Sequence, residues 1–129
     1  MERKELNPDL ESLVTRVIGA AIEVHQFIGP GFPEAVYQNA LSHELDLQEI
    51  THRIEYPVQV VYKDKRVGEG RIDILVEDQL VLELKTVNEI NDVHRAQVTA
   101  YLKAMNLEIG FVLNFNTAVL KDGIKRVIN

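Results

Sequence analysis

Apolar residues recur at helical spacing from the start of the chain: Leu10, Leu13 and Val14, Val17 and Ile18, Ala21 and Ile22, then His25. Asn7-Pro8-Asp9 ahead of them supplies a cap residue and a proline at the first helical position, so one amphipathic helix is predicted there. Gly29-Pro30-Gly31-Phe32-Pro33 stops it, and Pro33 is placed to open a second helix running to about Gln48, with Glu34 in its first turn. From Ile50 the pattern turns to short β-rich runs over 54–62, 70–76 and 80–87, with Lys63-Asp64-Lys65-Arg66 as a polar turn between the first two. A third long helix is predicted with Ile90, Val93, Gln97, Tyr101 and Met105 on one stripe, followed by strands over 109–115 and 124–128.

The resulting order, α-α-β-β-β-α-β-β, contains no internal repeat, low-complexity tract or linker. It predicts a single α/β (α+β) domain over residues 1–129, with a mixed central sheet flanked by helices. The helix between the third and fourth strands is the crossover that lets part of the sheet be parallel.

Composition narrows the chemistry. A chain of 129 residues, 46% hydrophobic and 26% charged, is expected to bury one core and to lie well away from disordered sequences. It has no cysteine, so disulfides and thiolate-bound metals are excluded and only carboxylate and histidine remain as metal ligands. Met1 to Asp9 is charged and no apolar run approaches the ~18 residues needed to span a bilayer, so a cytoplasmic protein is expected. The net charge of −6 argues against a protein that coats nucleic acid, yet a metal site concentrates carboxylates without excluding phosphate substrates. Lys63, Lys65, Arg66, Arg71 and Arg95 are candidates for a basic rim, each with the competing reading of a solvated surface charge.

The informative stretch runs from Arg71 to Lys85. If Glu77-Asp78-Gln79 is a three-residue hairpin loop, Val76 pairs with Leu80 and the register sets Asp73 opposite Glu83. Strand alternation puts Lys85 on the face of Glu83. Like charges opposed on a half-buried sheet destabilise it, and a hard divalent cation such as Mg²⁺ compensates them while waters and phosphate complete its shell. Lys85 beside such an ion fits a group that orients or activates water; on the residues alone, a salt bridge on a solvated sheet face explains it too. Gln97 and Glu34 fall on stripes expected to face the core, where each needs a specific polar partner. A site would supply one, as would a backbone bond for Gln97 or a helix N-terminus for Glu34. His25 reads as a satisfied core histidine, and His43, His52 and His94 show no metal-binding spacing.

Asp73 followed by Glu83-Leu84-Lys85 resembles the signature of the PD-(D/E)XK nuclease superfamily. Gly70-Arg71-Ile72-Asp73 and Gln97-Val98-Thr99-Ala100-Tyr101 resemble the GxxD and QxxxY motifs of its RecB-type branch. Gly31-Phe32-Pro33-Glu34-Ala35-Val36-Tyr37 is similar to the segment that names the small GxxExxY family of prokaryotic proteins in that superfamily. The resemblance spans roughly Ile18 to Phe115, and departs from the pattern in having Ile72, not proline, before Asp73. It implies a restriction-endonuclease-like αβββαβ core, with Asp73, Glu83 and the backbone carbonyl of Leu84 as ligands of Mg²⁺ or Mn²⁺, and Lys85 acting on the water. It further implies Glu34 as a helix acid holding water or a second ion, with Gln97 and Tyr101 orienting Lys85 or the scissile phosphate.

The function that follows is a metal-dependent nuclease hydrolysing phosphodiester bonds of DNA, with RNA as the other candidate substrate. Cutting both strands often calls for a homodimer, to which no segment of the sequence can be assigned. The alternative is a catalytically inactive nuclease-fold module that binds nucleic acid or a protein partner. A two-carboxylate glycosidase using Glu34 and Glu83 would leave Lys85 and Gln97 idle.

Overall fold

The computed structural model describes residues 6–129; the sequence reading of the charged start lies, for residues 1–5, outside the described residues. Helix α1 (Pro8–Ile28) starts where expected: the Asn7 side chain accepts the Asp9 N–H at 2.8 Å and Pro8 occupies the first turn. It ends at Gly29, whose φ of 77° is accessible because glycine has no Cβ. Helix α2 (Glu34–Leu47) follows Pro33, and together α1 and α2 cover one face of the sheet.

Strands β1 (His52–Tyr62), β2 (Lys65–Val76) and β3 (Leu80–Lys85) are joined by two tight hairpins. In each, two non-glycine residues take left-handed backbone: Lys63 and Asp64 in the first, Glu77 and Asp78 in the second. Helix α3 (Asp92–Met105) then crosses to β4 (Ile109–Asn114), and a short 3₁₀ turn (Leu120–Gly123) leads into β5 (Ile124–Ile128). The sheet order is β1-β2-β3-β4-β5, antiparallel except for the parallel β3–β4 pair that α3 connects. This is the mixed sheet flanked by helices that the pattern predicts.

Two cores result. The larger packs Val17, Ala21, Tyr37 and Leu41 of α1 and α2 against Ile74, Leu82, Leu84 and Phe111; the smaller packs Val98 and Leu102 of α3 against Ile72, Leu75, Val81 and Val112. His25 is buried beside the Phe115 ring of the first core, and its Nε2 faces the carbonyls of Thr117 (2.8 Å) and Phe115 (3.2 Å), so that nitrogen carries the proton. It thereby ties the end of α1 to the loop after β4.

Three sequence expectations are corrected. The stripe assigned to the third helix holds in part: Ile90, Tyr101 and Met105 pack against the smaller core, but Val93 is 74% exposed, and the buried residues of α3 are Val98 and Leu102. Gln97 is consequently half-buried, not a core amide, and Glu34 is exposed at the start of α2. Strand β3 stops at Lys85 and not at Val87, because the buried side chain of Asn114 takes the place of a ladder partner. Its Oδ1 accepts the Val87 N–H (3.1 Å) and its Nδ2 donates to the Val87 carbonyl (2.8 Å).

Helix α3 comes close to the sheet only because Gly110 presents no side chain. A Cβ there would lie 2.7 Å from Val98 Cγ1 and 2.9 Å from the Val81 carbonyl oxygen, and the latter is backbone that cannot swing away. Gly110→Ala is therefore expected to destabilise the protein by about 1–3 kcal/mol in urea unfolding. Gly19→Ala, on an exposed helical position with open space around it, is expected to stabilise by about 0.5–1 kcal/mol. Equal midpoints for the two variants would show that this contact does not set the helix–sheet distance.

Candidate functional site

The hairpin register predicted from the three-residue loop is the one observed: Val76 pairs with Leu80, Leu75 with Val81 and Ile74 with Leu82. Regular pairing stops there, one step before Asp73 and Glu83, and the two carboxylates take over its hydrogen bonds. The Leu84 N–H donates to Asp73 Oδ2 at 2.8 Å, and the Asp73 N–H donates to Glu83 Oε1 at 3.2 Å. Each acid thus satisfies a backbone group on the opposite strand and is held in place by it. Asp73 Oδ1 and Glu83 Oε2 accept no N–H among the described residues, so each acid has an oxygen to spare.

Glu83 is only 2% exposed and Asp73 is half-buried. Burial, then the Asp73 charge, pushes the Glu83 carboxyl up to about 8, against the opposing pull of the Asp73 N–H and of Lys85. Asp73 is raised as well, by burial first, with the charges of Glu34 and Glu55 adding to it and the Leu84 N–H and Lys85 opposing. Positive charge placed beside two such acids would favour their ionised forms and offset the cost of burying them. Lys85 lies close enough to act on both carboxylates but does not neutralise them.

The donor set fits a hard divalent ion: oxygen ligands, a local excess of negative charge, and carboxylate oxygens not committed to the backbone. Among the described residues no three His, Cys, Asp or Glu side chains converge on one point. The protein would thus contribute two carboxylates, leaving the rest of the shell to a backbone carbonyl, water or phosphate.

Of the other expected residues, Glu34 stands at the first position of α2, within electrostatic reach of Asp73. Its placement depends on Tyr37, which sequence reasoning did not put among the site residues. The Tyr37 ring is fully buried and stacks on Phe115 at 4.6 Å, while its hydroxyl donates to the Gly29 carbonyl (2.6 Å) and accepts the Phe32 N–H (3.2 Å). The loop carrying Glu34 is stapled from inside. Gly31, with φ at 115°, makes the turn possible.

Gln97 and Tyr101 meet each other and not Lys85: Gln97 Nε2 donates to the Tyr101 hydroxyl at 3.3 Å, and that hydroxyl accepts the Arg71 N–H at 3.3 Å. The ring of Tyr101 lies over Gly70, where a Cβ would sit 2.6 Å from Cε1. Tyr101 therefore clamps β2 two residues before Asp73. Glu55 is a second residue that the sequence did not flag: it stands in mid-strand with a φ of 52°, and its charge reaches Asp73. Lys63, Lys65 and Arg66 lie at the far tip of the β1–β2 hairpin and do not ring the carboxylates.

Burial sets the sign of a pH effect on the metal-free protein. A folded-state pKa above the unfolded value means that the folded state holds its proton more tightly. The associated stability is complete below the unfolded value of about 4.5 and is lost as pH rises through about 8. Thermal melts in EDTA should rise as pH falls from 8.5 towards 5.5. Glu83→Gln should raise the melting temperature at pH 8 and flatten the profile, by an amount on the order of a few kcal/mol. A wild-type profile that matches that of Glu83→Gln would remove Glu83 as the titrating group.

No curated protein matches the chain. Among solved structures it is similar to one titled "Crystal structure of SSO0001", with a TM-score of 0.52 and 20% identity, over 74% of this chain and 48% of that one. That likeness is one of fold, and the chain spans about half the length of that protein. A family model described as the PD-(D/E)XK nuclease superfamily matches residues 11–127, carrying the Asp73, Glu83 and Lys85 constellation within it. The chain belongs to the PD-(D/E)XK nuclease superfamily.

Proposed function

We propose that the protein is a Mg²⁺- or Mn²⁺-dependent nuclease that hydrolyses phosphodiester bonds of DNA, and that 1–129 is one such domain of GxxExxY type acting in the cytoplasm. The observation that carries the reading is the carboxylate pair itself. Asp73 and Glu83 are locked onto each other's strands, raised in proton affinity, and accompanied by Lys85 two residues further along β3.

Asp73, Glu83 and the Leu84 carbonyl would hold the ion. Bound there, it supplies Lewis-acid polarisation of the phosphate and a water of lowered pKa. Lys85 orients that water or offsets charge on the phosphate in the transition state. Glu34 holds a second water or ion from the helix side, and Gln97 fixes Tyr101, which in turn keeps β2 and Asp73 in position.

A second reading, a catalytically inactive module of the same fold, draws support from one observation. Among the described residues no third acid joins Asp73 and Glu83 at one point, and Gln97 is engaged with Tyr101 instead of reaching Lys85.

Purified protein incubated with single- and double-stranded DNA and RNA is expected to cut DNA with Mg²⁺ or Mn²⁺ and to stop with EDTA. Asp73→Ala and Lys85→Ala should each lose about a hundredfold or more of the rate. Cleavage unchanged in both variants would assign the activity elsewhere. An intact fold that binds neither metal at millimolar concentration in calorimetry would favour the inactive module.

A further inference from the structure

Strands β1 and β2 pair from His52 and Val76 out to Tyr62 and Lys65, but β3 accompanies β2 only over Ile74–Val76. The distal part of the hairpin therefore leaves the sheet as a two-stranded ribbon. Every residue from 59 to 69 is exposed, so neither face of the ribbon is covered. Its apolar side chains include Val61 at 61%, Tyr62 at 62% and Val67 at 55% exposure. At the tip, three of the chain's 14 Lys and Arg stand within four residues, with only Asp64 among them. Among the described residues none of the three is within ion-pair distance of a carboxylate, and Lys63 lies 5.3 Å from the Tyr62 ring centre. In a chain of net charge −6, this is a concentrated cationic end on an uncovered arm.

We propose that the ribbon is a docking arm for duplex DNA, an inference that rests on the nuclease reading and adds to it the form of the substrate. Asp73 is at the arm's base on β2, and Lys65 is eight residues further out on the same strand, about 26 Å at strand rise. Duplex DNA advances about 3.4 Å per base pair, so the tip meets phosphates about seven to eight base pairs from the carboxylate pair. The major groove of B-form DNA is about 12 Å wide and admits a two-stranded ribbon, whereas that of A-form RNA is too narrow. A single strand is poorly served, because Tyr62 is the one aromatic between Gln59 and Glu69 on which a base could stack. Strand addition by a second copy along β1 is disfavoured by Pro57 in that edge strand and by the bulge between Val60 and Val61.

The test uses the full chain carrying Asp73→Ala, so that binding is read without cleavage, with and without the triple change Lys63→Glu, Lys65→Glu and Arg66→Glu. Fluorescence anisotropy on a duplex of about 24 base pairs over a salt series should show the triple variant at least tenfold weaker, with a log–log salt slope shallower by about 2 to 3. On a duplex of about 5 base pairs, shorter than the distance from the carboxylates to the tip, the two proteins should differ far less. The triple arginine and lysine exchange Lys63→Arg, Lys65→Arg and Arg66→Lys should restore the affinity. Equal affinities and slopes on the long duplex overturn the arm while leaving the nuclease reading standing if the unmodified protein cuts DNA. Failure of the unmodified protein to bind or cut any nucleic acid overturns both. A concentration-dependent dimer that Val61→Glu and Val67→Glu abolish would give the ribbon to a second copy and overturn the DNA assignment.

Discussion

Two carboxylates standing in for a β-ladder are the constraint around which this fold is arranged. Beyond Ile74 and Leu82 the β2–β3 pairing continues through acids, with Leu84 N–H on Asp73 and Asp73 N–H on Glu83. Side-chain oxygens need more room than a carbonyl, so the strands separate at the point where the acids sit. The same bonds satisfy two amides that the separation would orphan, a loss that costs about 1–3 kcal/mol for each buried group. Opening the sheet and positioning the acids are one event, which is why the site lies at the end of regular pairing and not in the middle of the sheet.

The surrounding motifs act on this point mechanically. Gly70 is the place where the Tyr101 ring rests, and Tyr101 receives the Arg71 N–H, so the GxxD and QxxxY segments form a single contact between β2 and α3. Tyr37 does the equivalent on the other face, fixing the loop after α1 and with it the start of α2 where Glu34 stands. Two tyrosines, each with its ring packed and its hydroxyl on backbone, hold the two helical layers to the acid pair. The exposed Glu34 and the half-buried Gln97 are thus less buried than their periodicity suggested, and more dependent on a neighbouring tyrosine.

Much of this was legible in the sequence. The element order, the hairpin register through Val76 and Leu80, and the approach of Asp73 and Glu83 follow from periodicity, turn chemistry and loop length. The phase of α3 was legible only in part: Ile90, Tyr101 and Met105 pack as expected, but mixed polar residues left Val93 and Val98 competing, and Gly110 admits Val98 to the sheet. The end of β3 was missed because Asn114 replaces ladder bonds with an amide side chain, a substitution without a periodic signal. Glu55 could not have been found at all, since nothing in a β-rich run announces a left-handed glutamate.

That glutamate marks a change of side. Ile74 packs into the α1–α2 core and Ile72 into the α3 core, although they are two residues apart on β2 and an unbroken strand would keep them on one face. The register between β1 and β2 is the same on both sides of Glu55 and Asp73, with Ile54 on Ile74 and Tyr56 on Ile72. Both strands therefore turn over together, and the residue opposite Asp73 absorbs the turn by adopting a φ of 52°. Left-handed backbone at a residue with a Cβ costs about 1–2 kcal/mol. Two hydrophobic isoleucines placed in separate cores offset it, and the outcome is that Asp73 sits where β2 is released from alternation. From that position its carboxylate can reach across to Leu84, and beyond it the hairpin can leave the sheet.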